Sequence, residues 1–178
     1  GPLEPLGAEV KLEGHKDSVQ AVAWESAGSV WTGSFDHTLK CWDAESAQLR
    51  QSFDTPKAVM SVAVIAGGSR VAWCGGGDRM VHMWDPREGQ TTGATTSLGS
   101  HTEMVVCVRW CPGSDHQLVS ASYDGTLKLW DNRGKLPLHT VKAHEKEKAM
   151  GVDFHGPHRL VSGGTDGKLR MFKIEDTV

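Results

Sequence analysis

One pattern of twelve residues occurs four times in this chain of 178 residues, and it limits the possible folds more than any other feature. Its clearest copy, residues 120–131, reads SASYDGTLKLWD. An Asp-Gly turn separates two segments in which apolar and polar residues alternate, as they do in a β-hairpin. The other copies are residues 32–43, 74–85 and 162–173. The pattern predicts four hairpins, each with an aspartate in its turn.

The four copies are in register along the chain. Their turn aspartates are separated by 42, 46 and 42 residues, and an aromatic residue follows each of them six positions later. The aspartates are Asp36, Asp78, Asp124 and Asp166, and the aromatic residues are Trp42, Trp84, Trp130 and Phe172. A period of about 40–45 residues with Gly-His and Trp-Asp pairs is typical of WD-repeat β-propellers, in which each repeat forms one four-stranded blade. The chain therefore resembles the WD-repeat family over nearly its whole length, which implies an all-β, partial propeller of about four blades.

The repeats divide the chain into segments. Gly1-Pro2 resembles the remnant of a cleaved affinity tag, so residues 1–8 are interpreted as tag remnant or linker. Residues 9–13 predict the outer strand of a preceding blade, and residues 86–95, rich in Gly and Thr, predict a long surface loop. The repeats span residues 14–54, 55–99, 100–142 and 143–174.

The last repeat has three predicted strands and no outer one. An open arc of blades exposes apolar blade faces and an unpaired strand edge, here over residues 168–174. We therefore expect either further blades from an N-terminal segment or self-association of two copies.

Composition argues against several functional classes. The net charge is −3 and the sequence contains no long basic run, so no sequence-specific nucleic-acid partner is predicted. No apolar run approaches about 18 residues, so no membrane span is predicted. The four cysteines are interpreted as buried thiols of a reducing compartment. A metal site at Cys107, Cys111 and His116 is not favoured, because no fourth ligand follows at a finger-like spacing, and no cofactor is predicted.

Histidine, hydroxyl, aspartate and tryptophan recur once per repeat. Such a set could suggest a hydrolase triad, but a triad is single and lies beside oxyanion donors, whereas this set is repeated. We therefore predict no enzyme but a structural hydrogen-bond network that fixes each turn. Its members are His15, Thr32, Asp36 and Trp42; His101, Ser120, Asp124 and Trp130; and His144, Ser162 and Asp166.

Two repeats depart from this set. The second has no histidine at the expected place, and Cys74 is predicted to replace its hydroxyl. The fourth carries Phe172, which has no N–H to donate. Complete networks are therefore expected in the first and third repeats only.

The residues that precede the turn aspartates are expected to project on one rim, together with the loops that follow the histidines. Phe35 and Tyr123 are aromatic at such turns, where they could anchor a protein partner or pack on neighbouring loops. The predicted partner-binding residues are Phe35, Tyr123, Met104, Lys16 and Lys146.

Several stretches resemble the C-terminal half of the WD-repeat subunit of the Pescadillo–Bop (PeBoW) ribosome-biogenesis complex. The most specific is AHEKEK at 143–148, followed by VDF at 152–154 and LVSGGTDGKL at 160–169. The others are residues 31–38, 82–87, 100–102 and 128–131. The resemblance implies a scaffold for large-subunit (60S) assembly and rRNA processing, with Bop-type and Pescadillo-type partners and the pre-60S particle, in the nucleus, nucleolus and nucleoplasm. The family's N-terminal ubiquitin-like domain, used for release by the midasin ATPase, is not in this sequence. The alternative is a peptide receptor of a ubiquitin-ligase or chromatin complex.

Overall fold

The computed structural model describes residues 10–26, 28–65, 70–85 and 96–174, and their regular structure is entirely β. The all-β prediction is confirmed. The strands are β1 Val19–Ser26, β2 Ser29–Ser34, β3 Thr38–Asp43, β4 Leu49–Asp54, β5 Val59–Val64, β6 Val71–Gly75, β7 Met80–Trp84, β8 Thr96–Gly99, β9 Val105–Trp110, β10 Gln117–Ser122, β11 Thr126–Asp131, β12 Pro137–Lys142, β13 Ala149–Phe154, β14 Arg159–Gly164 and β15 Leu169–Lys173.

The strands form four antiparallel sheets, one per repeat, each joined in chain order. The first three sheets are β1–β4, β5–β8 and β9–β12, and the described part of the fourth contains β13–β15. We call them the first to fourth blades. In each blade, the second and third strands pair as a hairpin whose tight turn carries the aspartate. The four turn aspartates therefore occupy equivalent positions in their blades.

The core is divided among the junctions between blades. Because side chains alternate across a strand, each inner strand sends one set of apolar residues toward the preceding blade and the other toward the following blade. Trp31, Leu39 and Phe53 of the first blade pack on Val59 and Val62 of the second. Similar clusters join the second blade to the third and the third to the fourth. The order of the four blades therefore depends on contacts between neighbours in the sequence.

Residues 10–13 are not assigned to a strand in this structure, and the prediction that residues 9–13 form the outer strand of a preceding blade stays a prediction, because no such blade is among the described residues. A strand needs a neighbour to pair its backbone N–H and C=O groups, and the described residues offer none to this segment. The predictions for residues 1–8 and 86–95 lie outside the described residues. The described part of the chain contains no helix long and apolar enough to cross a membrane.

Candidate functional site: the hydrogen-bonded rim

In the third blade, four side chains form a hydrogen-bond network that runs from the turn to the inner strands. His101 Nδ1 lies 2.8 Å from Asp124 Oδ2, and His101 Nε2 lies 2.7 Å from Ser120 Oγ. Trp130 Nε1 donates to Ser120 Oγ at 2.8 Å. Ser120 and Trp130 are both completely buried. The turn is therefore tied to the core by groups that have no access to water.

The first blade contains the same hydrogen-bond network with the same distances. His15 lies 2.8 Å from Asp36 and 2.7 Å from Thr32 Oγ1, and Trp42 Nε1 donates to Thr32 Oγ1 at 2.8 Å. A carboxylate only accepts, so histidine Nδ1 donates to it. In the neutral imidazole, Nε2 then accepts from the hydroxyl, which accepts in turn from the indole. Every polar side-chain atom of this network therefore has a hydrogen-bond partner of the right kind.

The turn aspartates are held in the ionised form by their hydrogen bonds. Burial alone would raise the pKa of Asp124, but hydrogen bonds from His101 and Thr126 hold that pKa well below its usual range. Burial would likewise raise the pKa of Asp36. Hydrogen bonds from Thr38, the Lys16 amide and His15 outweigh this effect and keep that pKa far below its usual value. In each blade the carboxylate therefore stabilises the fold while it is charged.

These low pKa values predict that the fold is sensitive to acid. A carboxyl with a lowered folded-state pKa contributes stability above its unfolded pKa, and this contribution is lost as the pH falls toward the folded-state value. We expect the free energy of unfolding in urea to fall steadily between about pH 5 and pH 2. The Asp124→Asn variant cannot titrate at this position, so its stability is expected to change less over that range. Constant stability of the unmodified chain down to about pH 3 would contradict this account.

In the fourth blade the hydrogen-bond network has no indole donor. His144 lies 2.9 Å from Asp166 and 3.0 Å from Ser162 Oγ, but Phe172 offers no donor to the hydroxyl. Arg170 donates to Asp166 Oδ2 at 2.6 Å. Burial would raise the pKa of Asp166, but the hydrogen bonds from Arg170 and His144 lower that pKa to about 2. A cation from the β15 strand therefore joins the turn aspartate in this blade.

The second blade carries a different network, which the sequence analysis missed. The prediction that Cys74 replaces the hydroxyl is wrong, because Trp73 stands opposite His82 where Thr32 stands opposite Lys40. The second repeat has one extra residue between this position and its turn aspartate, compared with the segment from Thr32 to Asp36. Trp73 therefore takes the position of Thr32, and Cys74 lies on the opposite face of the blade, toward the third blade.

His82 replaces the missing histidine from the opposite strand. Its Nε2 lies 2.6 Å from Asp78 Oδ2, its Nδ1 lies 3.0 Å from Ser97 Oγ, and its ring stacks on Trp73 with 5.6 Å between centroids. The sequence did carry a signal, because His82 follows its turn aspartate by four positions, as Lys40, Lys128 and Arg170 follow theirs.

The predicted partner-binding residues lie in hairpin turns and in the loops that precede the blades. Phe35 is 39% exposed, and its amide donates to Ser18 O in the loop that contains Lys16. The amide of Tyr123 donates to Met104 O, which brings these two half-buried residues together. Tyr123 also lies under Lys148, whose Nζ is 4.4 Å from the ring centroid, so it packs partly on a neighbouring loop. Lys16 and Lys146 are exposed.

Comparison with known proteins agrees with this architecture. The WD domain, G-beta repeat family matches residues 8–43, 47–85, 93–131 and 135–173. Each match contains one hairpin with its turn aspartate and its aromatic residue. The chain belongs to the WD-repeat family, and the predicted partial propeller is confirmed.

The curated relatives include proteins that are each named ribosome biogenesis protein WDR12 homolog. The relative from Chlamydomonas reinhardtii is 36% identical over 172 residues, which is 92% of this chain and 38% of that protein. The relative from Ixodes scapularis is 37% identical over 163 residues, or 91% of this chain and 38% of that protein. The Arabidopsis thaliana relative is 32% identical over 164 residues, with 92% and 38% covered. The chain therefore spans somewhat over a third of the length of these relatives.

Proposed function

We propose that this chain is a non-catalytic protein-interaction scaffold that takes part in assembly of the large ribosomal subunit. The observation that carries the proposal is the identity of 36% over 92% of the chain with a ribosome biogenesis protein. The geometry supports the non-catalytic part, because the His–Asp pairs recur in four blades and their atoms are used within the fold. In this proposal the chain acts in the nucleus, mainly the nucleolus, and contributes to rRNA processing.

The proposed partners are a Bop-type subunit, a Pescadillo-type subunit and the pre-60S particle that holds them. The first measurement is affinity capture of the protein from its own cells, followed by mass spectrometry. Recovery of Bop and Pescadillo homologues with large-subunit precursors is the expected result. Recovery of a cullin adaptor or a histone complex in their place would favour the alternative, a peptide receptor on the same fold.

The rim is the proposed contact surface. Phe35 and Tyr123 present aromatic side chains at two of the turns, and aromatic residues are enriched in the core of protein interfaces. The exposed Lys16 and Lys146 lie on the loops that precede the first and fourth blades. The double variant Phe35→Ala, Tyr123→Ala is expected to lower capture of the partner about tenfold, which corresponds to about 1.4 kcal/mol.

A matched control is available on the outer strand of the third blade. Leu138 is 44% exposed, close to the value for Phe35, but it lies away from the turns. Leu138→Ala is expected to leave capture unchanged. If Leu138→Ala and the rim variant lower capture equally, the rim is not the contact surface.

A further inference from the structure

The rim of the second blade differs from the rims of the other blades. It consists of the entering loop, residues 55–58, and the turn, residues 76–79, and we call these two segments the second-blade rim. The Gly76 amide donates to Ala58 O at 2.9 Å and holds the two segments side by side. The blade packs on the first and third blades, so the exposure of this rim does not arise from the ends of the arc.

Lys57 stands at a loop position that is acidic in the other blades. In each blade a carbonyl of the entering loop accepts the amide of a turn residue, and these carbonyls belong to Ser18, Ala58, Met104 and Lys148. The residue before the accepting one is Lys57 in the second blade and Asp17, Glu103 and Glu147 in the others. The second blade therefore presents a positive charge where the others present a negative one.

Arg79 is an exposed cation at a turn position that favours glycine. Its φ is +61°, and the third and fourth blades have Gly125 and Gly167 at the same place with φ of +77° and +70°. A residue with a Cβ is strained in this left-handed region, whereas glycine is not. The Arg79 side chain makes no ion pair with a described residue that would offset the strain. Strain without a structural return is typical of a side chain kept for function.

Between these two cations the rim carries no side chains. Gly77 stands directly before its turn aspartate, where the first and third blades have Phe35 and Tyr123. A Cβ on Gly76 would have its nearest atom, Met104 Sδ, at 3.8 Å, and the φ of Gly76 is not positive. Neither packing nor backbone conformation therefore requires glycine at position 76. Glycines of this kind leave room for another backbone to approach closely.

We infer that the second-blade rim binds an acidic segment of a partner protein. The segment passes over Gly76 and Gly77 in an extended conformation, and its carboxylates meet Lys57 and Arg79. A guanidinium binds a carboxylate through two parallel hydrogen bonds, and an ammonium adds a second point of positive charge. The inference rests on the proposed function, in which the rim is the contact surface, and adds the chemistry of the partner.

The surroundings of the rim favour a short protein segment over a nucleic acid. Exposed acids lie on both sides, since Asp54 ends β4 just before the loop and Glu103 lies in the loop of the third blade. Within the rim, both carboxylate oxygens of Asp78 are hydrogen-bonded, to His82 and to the Met80 amide. A nucleic acid carries a charge at every phosphate and would bring some of them close to these acids. An acidic run in a protein can end within the positive patch.

The test is a fluorescence-anisotropy titration of the 178-residue chain against a short labelled peptide of alternating Glu and Gly, at low ionic strength. We expect the peptide to bind about tenfold or more tightly than its Gln-Gly analogue, with an affinity that falls as salt is added. The double variant Lys57→Ala, Arg79→Gly is expected to lower the affinity about tenfold. Gly76→Leu is expected to weaken binding as well, because its side chain fills the open space.

A matched control removes the same charge at the other end of the blades. Lys135 and Arg159 are exposed and lie at the ends of their strands that face away from the aspartate turns. The double variant Lys135→Ala, Arg159→Ala is expected to leave the affinity unchanged. Equal losses for this variant and the rim variant would show that only net charge matters and would overturn the inference.

Urea unfolding separates loss of binding from loss of fold. Arg79→Gly relieves left-handed strain, so the midpoint of its unfolding is not expected to fall. A lower midpoint would mean that the arginine supports the fold, and it would overturn the functional reading of the strain.

Two further results would overturn the inference. One is no binding of the Glu-Gly peptide at low ionic strength, and the other is tighter binding of a single-stranded RNA of the same length. The titration does not involve a Bop-type partner, so its failure is distinguishable from failure of the proposed function. Peptide binding together with capture of a different complex would reject the proposed function alone.

Discussion

Replacing Ser120 by alanine is expected to lower the free energy of unfolding by about 2–5 kcal/mol, because two buried polar groups lose their partner at once. Ser120 Oγ lies 2.7 Å from His101 Nε2 and 2.8 Å from Trp130 Nε1. Both partners are buried, so water cannot replace the hydroxyl without a rearrangement of the blade. Urea unfolding of the variant and the unmodified chain at pH 7 measures the difference.

The fourth blade provides the control for this prediction. Ser162 is as buried as Ser120, but it has His144 as its network partner and faces Phe172, which has no N–H. Ser162→Ala is expected to cost about 1–3 kcal/mol, less than Ser120→Ala, since one group is left unpaired. Equal losses for the two variants would mean that the indole bond contributes little.

Replacing Gly125 by alanine is expected to destabilise the third blade by about 3–5 kcal/mol, from left-handed backbone strain and a collision with the neighbouring loop. Gly125 has a φ of +77°, and a Cβ there would lie 2.3 Å from His144 O and 2.6 Å from Glu147 O. The Gly125 carbonyl accepts from the His144 amide at 2.9 Å, so the two backbones cannot separate without losing that bond. The measurement is again urea unfolding, with thermal unfolding as a second readout.

Gly167 separates the two causes of that loss. Its φ of +70° is close to that of Gly125, but a Cβ there would meet nothing within 4 Å. Gly167→Ala is therefore expected to cost about 1–2 kcal/mol, the value for left-handed strain alone. A loss for Gly125→Ala no larger than that for Gly167→Ala would show that the turn can move away from the His144 loop.

The repeated networks explain how one short pattern specifies a blade. The turn aspartate accepts from the histidine and from the amide two residues later, as in the bonds from Thr38 N and Thr126 N. The hydroxyl and the indole extend the hydrogen-bond network from the turn to the two inner strands. Because the whole set lies within one repeat and its entering loop, each blade can fix its own turn with few contributions from its neighbours.

The local features of this protein follow from residue types and their spacing within one repeat. The position of each hairpin follows from the turn aspartate and the aromatic residue six positions later, and the complete sets around Asp36 and Asp124 follow from residue types alone. These features depend on residues within one repeat, whose spacing is visible in the chain. Phe172 likewise indicated in advance that the fourth set lacks an indole donor.

The hydrogen-bond network of the second blade and the exposure of the apolar side chains at the two ends of the arc could not be derived from the repeat pattern. An extra residue before Asp78 shifts the register by one, and because side chains alternate along a strand, this shift puts Trp73 in place of the expected Cys74. The turn aspartate then finds its histidine in His82 on the opposite strand. Leu169 and Leu127 have the same place in the repeat, yet one is exposed and the other buried. Burial at a blade face depends on the neighbouring blade, which no pattern within a single repeat contains.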